Sequence, residues 1–285
     1  MTKTFTEINS TDPKSLMILD SLNLAFRYKH SGAVNFVEDY MRTVDSLKKS
    51  YKTTKLIIAG DMGSSSYRKA LYPEYKQNRK DKYANQSEAE KAEFEAFFAE
   101  VQAILSKYET NAVYPVARFS GVEADDIAAY IVSKRKKYSI QQIWLISSDR
   151  DWNLLVDEGV SQFSYVTRKE FTVDNWNDHY EFSREKYISI KCLMGDSGDN
   201  IQGVAGIGPK RAMELVEKYG STYDIIANLP IASKYKYIAA LNDFGADNLM
   251  LNYALMDLVS YSEEAIGVEN CKTLDIMLES YFKWN

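Results

Sequence analysis

LMILD (16–20) is an apolar run that ends in a carboxylate, and the pattern returns as LIIAGD (56–61) and WLISSDRD (144–151). A short, unbroken apolar run is what a strand buried on both faces of a parallel sheet requires. Between the first two runs, residues 34–50 place Val37, Met41, Val44 and Leu47 at helical spacing. Strand, helix and strand form a βαβ unit, whose crossover is right-handed. Residues 87–108 read as a long Glu- and Ala-rich helix with a stripe of Phe94, Phe97 and Phe98. NAVYPV (111–116) reads as a short strand, and a helix opened by GVEADD (121–126) continues from Ile127 to Lys137. QIWLIS (142–147) is a fourth strand. The fold class is therefore α/β, with a mostly parallel central sheet flanked by helices. SQFSYV (161–166) and EFTV (170–173) read as a hairpin. From 183 to 285 the pattern is helical, broken by Gly203, Gly206, Gly208 and Gly220, and reads as a helical subdomain.

Composition narrows the classes. A chain of 285 residues, 45% of them hydrophobic, can bury a sizeable core. No run of eighteen apolar residues exists, so no membrane-spanning helix is expected. The polar stretch 1–14 lacks an apolar signal core and reads as a flexible leader. Cys192 and Cys271 are far apart and have no histidine cluster near them, which argues against a disulfide framework or a zinc site. A reducing cytoplasm fits. His30 and His179 stand alone, so histidine-based catalysis has little support. The net charge of −5 alone argues against binding nucleic acid. The balance is uneven, however: residues 68–82 hold six basic residues against Glu74 and Asp81. A local basic stripe can bind a polyanion whatever the net charge.

The acids fall in clusters. Asp20, Asp61 and Asp149 each follow a strand, at the carboxyl edge where open parallel sheets bind ligands. Glu123, Asp125 and Asp126 open a helix, Asp151 follows Asp149, and Asp196 and Asp199 lie in MGDSGDN (194–200). A single Asp after a strand ordinarily caps the next helix. Nine acids in five such places are harder to explain by capping alone. Two like charges at ~4 Å repel by ~4 kcal/mol at an effective dielectric of ~20. Gathered together they need cations, and oxygen-only sites suit Mg²⁺ or Mn²⁺.

GVAGIGPKRAMELVEKYG (203–220) reads as a helix–hairpin–helix. Gly206 and Gly208 permit a tight turn, and Pro209 suits the first turn of the next helix. The exposed N–H groups there can hold a DNA phosphate, with Lys210 and Arg211 adding charge. The hairpin carbonyls can also hold a monovalent cation such as K⁺. Contacts of this kind touch backbone and carry no base specificity. In the basic segment 64–91, Tyr67, Tyr72, Tyr75 and Tyr83 are interleaved with Lys and Arg. These tyrosines could stack bases, while Lys76 and Arg79 meet phosphates.

PEYKQNR (73–79), GVEADDIAAYIV (121–132), WLISSDRDW (144–152) and IKCLMGDSGDNIQGVAGIGPKR (190–211) together resemble the 5′ nuclease family of flap endonucleases and 5′–3′ exonucleases. The likeness is to its tailed-phage members and runs over nearly the whole chain. It implies a PIN-like nuclease core over 15–182 with a helical arch at about 70–108. The helical DNA-binding subdomain would then be 183–285, with the hairpin at 200–220. It implies one metal group of Asp20, Asp61, Glu123, Asp125 and Asp126, and a second of Asp149, Asp151, Asp196 and Asp199. It places Lys76, Arg79 and Lys191 as catalytic cations, and Arg27 and Tyr75, with Gly206, Gly208, Lys210 and Arg211, at the DNA. Two departures from the family pattern are Gln77 and Arg150, where Gly is common. The resemblance implies hydrolysis of DNA phosphodiesters at 5′ flaps, overhangs or nicks during phage DNA replication. It implies two or more Mg²⁺ or Mn²⁺ ions, no small-molecule cofactor, a monomer, no membrane, and a place in the host cytoplasm. Two rivals are a non-catalytic DNA-junction-binding protein and a PIN-type ribonuclease. A third, a nucleotide-binding Rossmann enzyme, lacks glycines after the first strand.

Overall fold

The computed structural model describes Phe5 and residues 12–283. Its strands are β1 (Asp12–Asp20), β2 (Thr53–Ala59), β3 (Val116–Ala117), β4 (Gln142–Ile146), β5 (Val160–Phe163) and β6 (Glu170–Phe171). They form one sheet in the order β3-β2-β1-β4-β5-β6. Every neighbouring pair is parallel except the β5–β6 hairpin. Most of the expected leader lies outside the described residues, and its last three residues already belong to β1.

The helices are α1 (Ser21–His30), α2 (Val37–Ser50), α3 (Ser66–Leu71), α4 (Gln77–Ala84), α5 (Glu88–Asn111) and α6 (Ala124–Ser133). They continue with α7 (Tyr187–Met194), α8 (Pro209–Tyr219), α9 (Thr222–Ala227), α10 (Lys236–Met256), α11 (Leu258–Ile266) and α12 (Val268–Tyr281). α5 opens with a capping box between Ser87 and Glu90. It runs past the expected end, and Ala112 closes it in the left-handed conformation. That overrun leaves β3 only two residues. α6 ends at Ser133, short of the expected Lys137, because residues 134–139 form turns.

The chain divides into two compact units. One holds the residues up to Tyr67, Gln86–Asn175 and Leu258 onward; the other holds Arg68–Asn85 and Trp176–Asp257. In the first, alternate residues of the central strands serve opposite faces of the sheet, as the two-residue period demands. Leu16, Ile18, Ile57, Ile143 and Leu145 face a cluster that includes Ile127, Ala128 and Ile131 of α6. Met17, Leu19, Leu56, Ile58, Trp144 and Ile146 face the other, with residues of α1, α2 and α5. Of the expected phenylalanine stripe, Phe97 joins this second core, whereas Phe98 is exposed. Leu258, Ile266, Leu274 and Leu278 pack into the α6 cluster. The last two helices, read from sequence with the helical subdomain, thus belong to the sheet unit.

In the second unit, Ile190, Leu193, Ala212, Leu215, Val216 and Leu241 share a core. α10 is broken at Gly245, whose φ is 74°. Gly195 and Gly203 press backbone on backbone: a Cβ on Gly203 would stand 2.0 Å from the Met194 carbonyl oxygen. Gly203→Ala is therefore expected to destabilise the protein by about 2–4 kcal/mol, since overpacking against backbone cannot relax by rotamer change. A lowered urea midpoint with an unchanged m-value checks it.

Candidate metal and nucleic-acid site

The parallel strands β1, β2 and β4 end together, with Asp20 paired to Ala59 and Leu19 to Ile146. Their register brings Asp20, Asp61 and Asp149 to one edge of the sheet unit. Asp20 is the N-cap of α1: it accepts from the Asn23 N–H at 3.0 Å and from the Ser147 hydroxyl at 2.7 Å. Burial, then the neighbouring Asp61 charge and to a smaller extent Asp149, push its carboxyl from 3.8 up to about 7. Desolvation and like-charge repulsion both disfavour the ionised form, and the two capping donors only partly offset them.

Asp61 accepts from the Ala124 N–H at 2.9 Å, so it caps α6 from a different strand. Glu123, at the N-cap position of α6, is buried and accepts from the Ser65 N–H at 3.2 Å. Asp126 is wholly buried in the same first turn. Asp125 accepts from the indole N–H of Trp152 at 2.5 Å. That indole is fully buried. Asp149 accepts from the Asp151 N–H at 2.9 Å.

A neutral network supports the Asp149 loop. The Gln162 amide donates to the carbonyls of Ser147 (2.9 Å) and Asp149 (2.7 Å), and Asn153 donates to Gln162 at 2.9 Å. Asn153 and Gln162 are each 1% exposed. Nothing in their spacing singled them out, since a buried amide looks like any polar residue until its partners are known.

Seven of the nine expected acids therefore belong to the sheet unit, on four chain segments. Asp149, expected with the second group, stands close enough to Asp20 to raise its pKa. Among the described residues, no three acids, histidines or cysteines form a preformed ion cage. The carboxylates rest instead on N–H and O–H donors. The donor set is all oxygen, as a hard divalent cation prefers.

Asp196 and Asp199 belong to the second unit, where they meet cations. Asp196 stands 3.5 Å from Lys191 Nζ and accepts from the Gly198 N–H at 2.9 Å. Asp199 accepts from the Tyr75 hydroxyl at 3.0 Å and from Arg79 at 2.6 Å, with Lys76 Nζ 3.8 Å away. The Lys76 N–H donates to the Asp199 carbonyl at 2.9 Å, and Arg79 Nε to that of Gly198 at 3.0 Å. Lys76 itself is left-handed, at φ 57°. Gln77, one of the two departures, sits in the first turn of α4 and donates to Asp81 at 2.9 Å.

Two expectations change in this segment. Tyr75 is 2% exposed, packed with Cys192, Ile201 and Leu255, so its ring positions Asp199 and offers no face to a base. Arg68, counted with the basic stripe, is buried and donates to the Leu255 carbonyl at 2.8 Å.

At the hairpin, Gly206 has φ 76° and needs its glycine, whereas Gly208 is extended at φ −100°. Pro209 opens α8. Arg211 donates to the Gly206 carbonyl at 2.5 Å and lies 4.7 Å from the centre of the Tyr237 ring.

Comparison with known proteins gives this geometry a context. Residues 15–182 match the family model of the 5′-3′ exonuclease N-terminal resolvase-like domain, and residues 182–277 that of the 5′-3′ exonuclease C-terminal SAM fold. The chain is 41% identical to a flap endonuclease of Escherichia phage T5 over 271 residues, which is 94% of this chain and 92% of that protein. It superposes on a T5 5′-exonuclease with bound zinc at a TM-score of 0.89 and 39% identity, covering 94% of this chain and 100% of the other. A pseudo-enzyme-product complex of the T5 D15 flap endonuclease with DNA and metal ions matches at 0.88 and 39%, covering 94% and 99%.

Proposed function

The chain belongs to the 5′-3′ exonuclease family and is a structure-specific 5′ nuclease; on that premise we propose that its sheet-edge carboxylates hold Mg²⁺ or Mn²⁺ for cleavage of DNA at 5′ flaps, overhangs and nicks. One observation carries the reading: Asp20 is buried and raised in pKa by Asp61 and Asp149, acids from three different strand ends. A bound divalent cation would offset both the burial and the repulsion among these acids. Asp61, Glu123, Asp125 and Asp126 complete the oxygen set around the start of α6. Asp149 and Asp151 are proposed as further ligands of the sheet unit, and Asp196 and Asp199 as metal ligands that the second unit carries. Divalent ions bound by these acids supply an activated water and charge stabilisation at the phosphodiester.

The protein's own cations do the rest. Lys76, Arg79 and Lys191 are held by Asp199 and Asp196, and we assign them to the charge that develops on the phosphoryl group. The N–H groups that open α8, with Lys210 and Arg211, suit a duplex phosphate. A K⁺ ion at this hairpin would share the Gly206 carbonyl with Arg211. No helix among the described residues is long and apolar enough to cross a membrane. A monomer acting in the host cytoplasm completes the proposal.

End-labelled 5′-flap, nicked and circular single-stranded DNA, each with Mg²⁺ or with EDTA, test the reading. Release of short 5′-labelled fragments from the flap substrate only with Mg²⁺ is expected. Binding without cleavage under every metal condition would favour a junction-binding protein.

A further inference from the structure

One cationic cluster in the sheet unit has no role in the site described above. Arg27 of α1 and Arg168 of the β5–β6 turn both lie over the ring of Tyr165, their guanidinium carbons 4.5 and 4.8 Å from its centre. Laid end to end, those distances put the two charges no more than about 9 Å apart. That is about one Debye length at physiological ionic strength, where like charges still repel. Both arginines are exposed, and neither forms an ion pair among the described residues. The nearby Glu170 accepts from the Tyr51 hydroxyl at 2.7 Å through one oxygen and from the Phe5 N–H at 2.8 Å through the other.

The cluster is built firmly. Tyr165 packs edge-on against Phe163 at 6.1 Å. Arg168 is left-handed, at φ 59°, and its N–H donates to the Ser164 carbonyl at 2.9 Å. A left-handed arginine costs about 1 kcal/mol, so its position is sustained against strain. The cluster also adjoins the Asp149 loop. Ser148, beside Asp149, accepts from the Val166 N–H at 2.9 Å and donates its own N–H to Asn23 of α1 at 2.8 Å.

We propose that Arg27, Tyr165 and Arg168 form a clamp for backbone phosphates of the DNA substrate, adjoining the carboxylate edge; Tyr165 and Arg168 are its unassigned members. The inference rests on the nuclease reading. Two guanidiniums held on one ring attract an anion, and the substrate is a polyanion. A ring already carrying two guanidiniums is a poor platform for a base, so the clamp reads phosphate and not sequence.

Binding of 5′-flap DNA in EDTA, measured over a range of KCl concentrations, tests it. Arg168→Gly suits the left-handed backbone and removes the charge, while Arg168→Lys keeps the charge. The slope of log K against log salt is expected to fall in Arg168→Gly by about 0.9 for a duplex phosphate or about 0.7 for a single-strand one. Arg168→Lys is expected to restore it. A wild type that cleaves the flap while Arg168→Gly keeps the full slope overturns the clamp alone, as does a slope that Lys fails to restore. A wild type that never cleaves overturns the nuclease reading itself.

Discussion

Asp149→Asn is expected to lower the single-turnover cleavage rate of a 5′-flap substrate by about a thousandfold, because a metal-holding acid contributes several kcal/mol to transition-state stabilisation. The substitution is nearly isosteric. Its side-chain oxygen can still accept from the Asp151 N–H, and the Gln162 bond to the Asp149 carbonyl is untouched. Asp149 is exposed, and its charge helps to raise the Asp20 pKa, so losing it removes a repulsion. Thermal stability without metal should therefore hold or rise slightly, and flap binding in EDTA should be largely preserved. Saturating protein and rapid quench separate the chemical step from binding. Full turnover in Mg²⁺ would remove Asp149 from the site.

Lys76→Ala is expected to slow the same single-turnover step by about a hundredfold, the scale of one preorganised charge facing a developing anion. Its effect on affinity should be much smaller. The fold should survive: the Lys76 N–H bond to the Asp199 carbonyl is backbone, and Tyr75 and Arg79 still hold the Asp199 carboxylate. The Lys76 ammonium stands 3.8 Å from that carboxylate, beyond hydrogen-bond length. An unchanged rate at saturating enzyme would refute a chemical role for Lys76.

Much of this was legible because each signal depended on local chemistry. The strands that lead to Asp20, Asp61 and Asp149 announce themselves by apolar runs, and the sheet register then brings those acids to one edge. The α8 start was equally plain, since Pro209 after Gly208 leaves few other readings. What stayed hidden was pairing across long stretches of chain. Tyr75 looked like a surface aromatic among lysines, but Cys192 and Leu255 bury it. Arg68 looked like one more surface cation, but the Leu255 carbonyl holds it inside. The resemblance groups Asp149 with Asp196, and nothing in the sequence signalled that Asp149 also acts electrostatically on Asp20. Gly208 was credited with a turn that Gly206 alone requires. α11 and α12 carry the same helical signature as α7–α10, and only their apolar partners on α6 assign them to the sheet unit. Periodicity names an element and its buried face; it does not name the surface that covers that face.

The amides of Asn153 and Gln162 give the carboxylate edge a particular tolerance. Ion pairs at a surface weaken as salt screens them, but hydrogen bonds between buried neutral groups do not. The loop that presents Asp149 is tied by neutral bonds, whereas the contacts assigned to a duplex phosphate include the exposed cations Lys210 and Arg211. Ionic strength should therefore act on the two halves of the reaction separately. Rising salt drives the substrate off while leaving the geometry of the cutting edge intact, so a protein idle at high salt regains its activity on simple dilution.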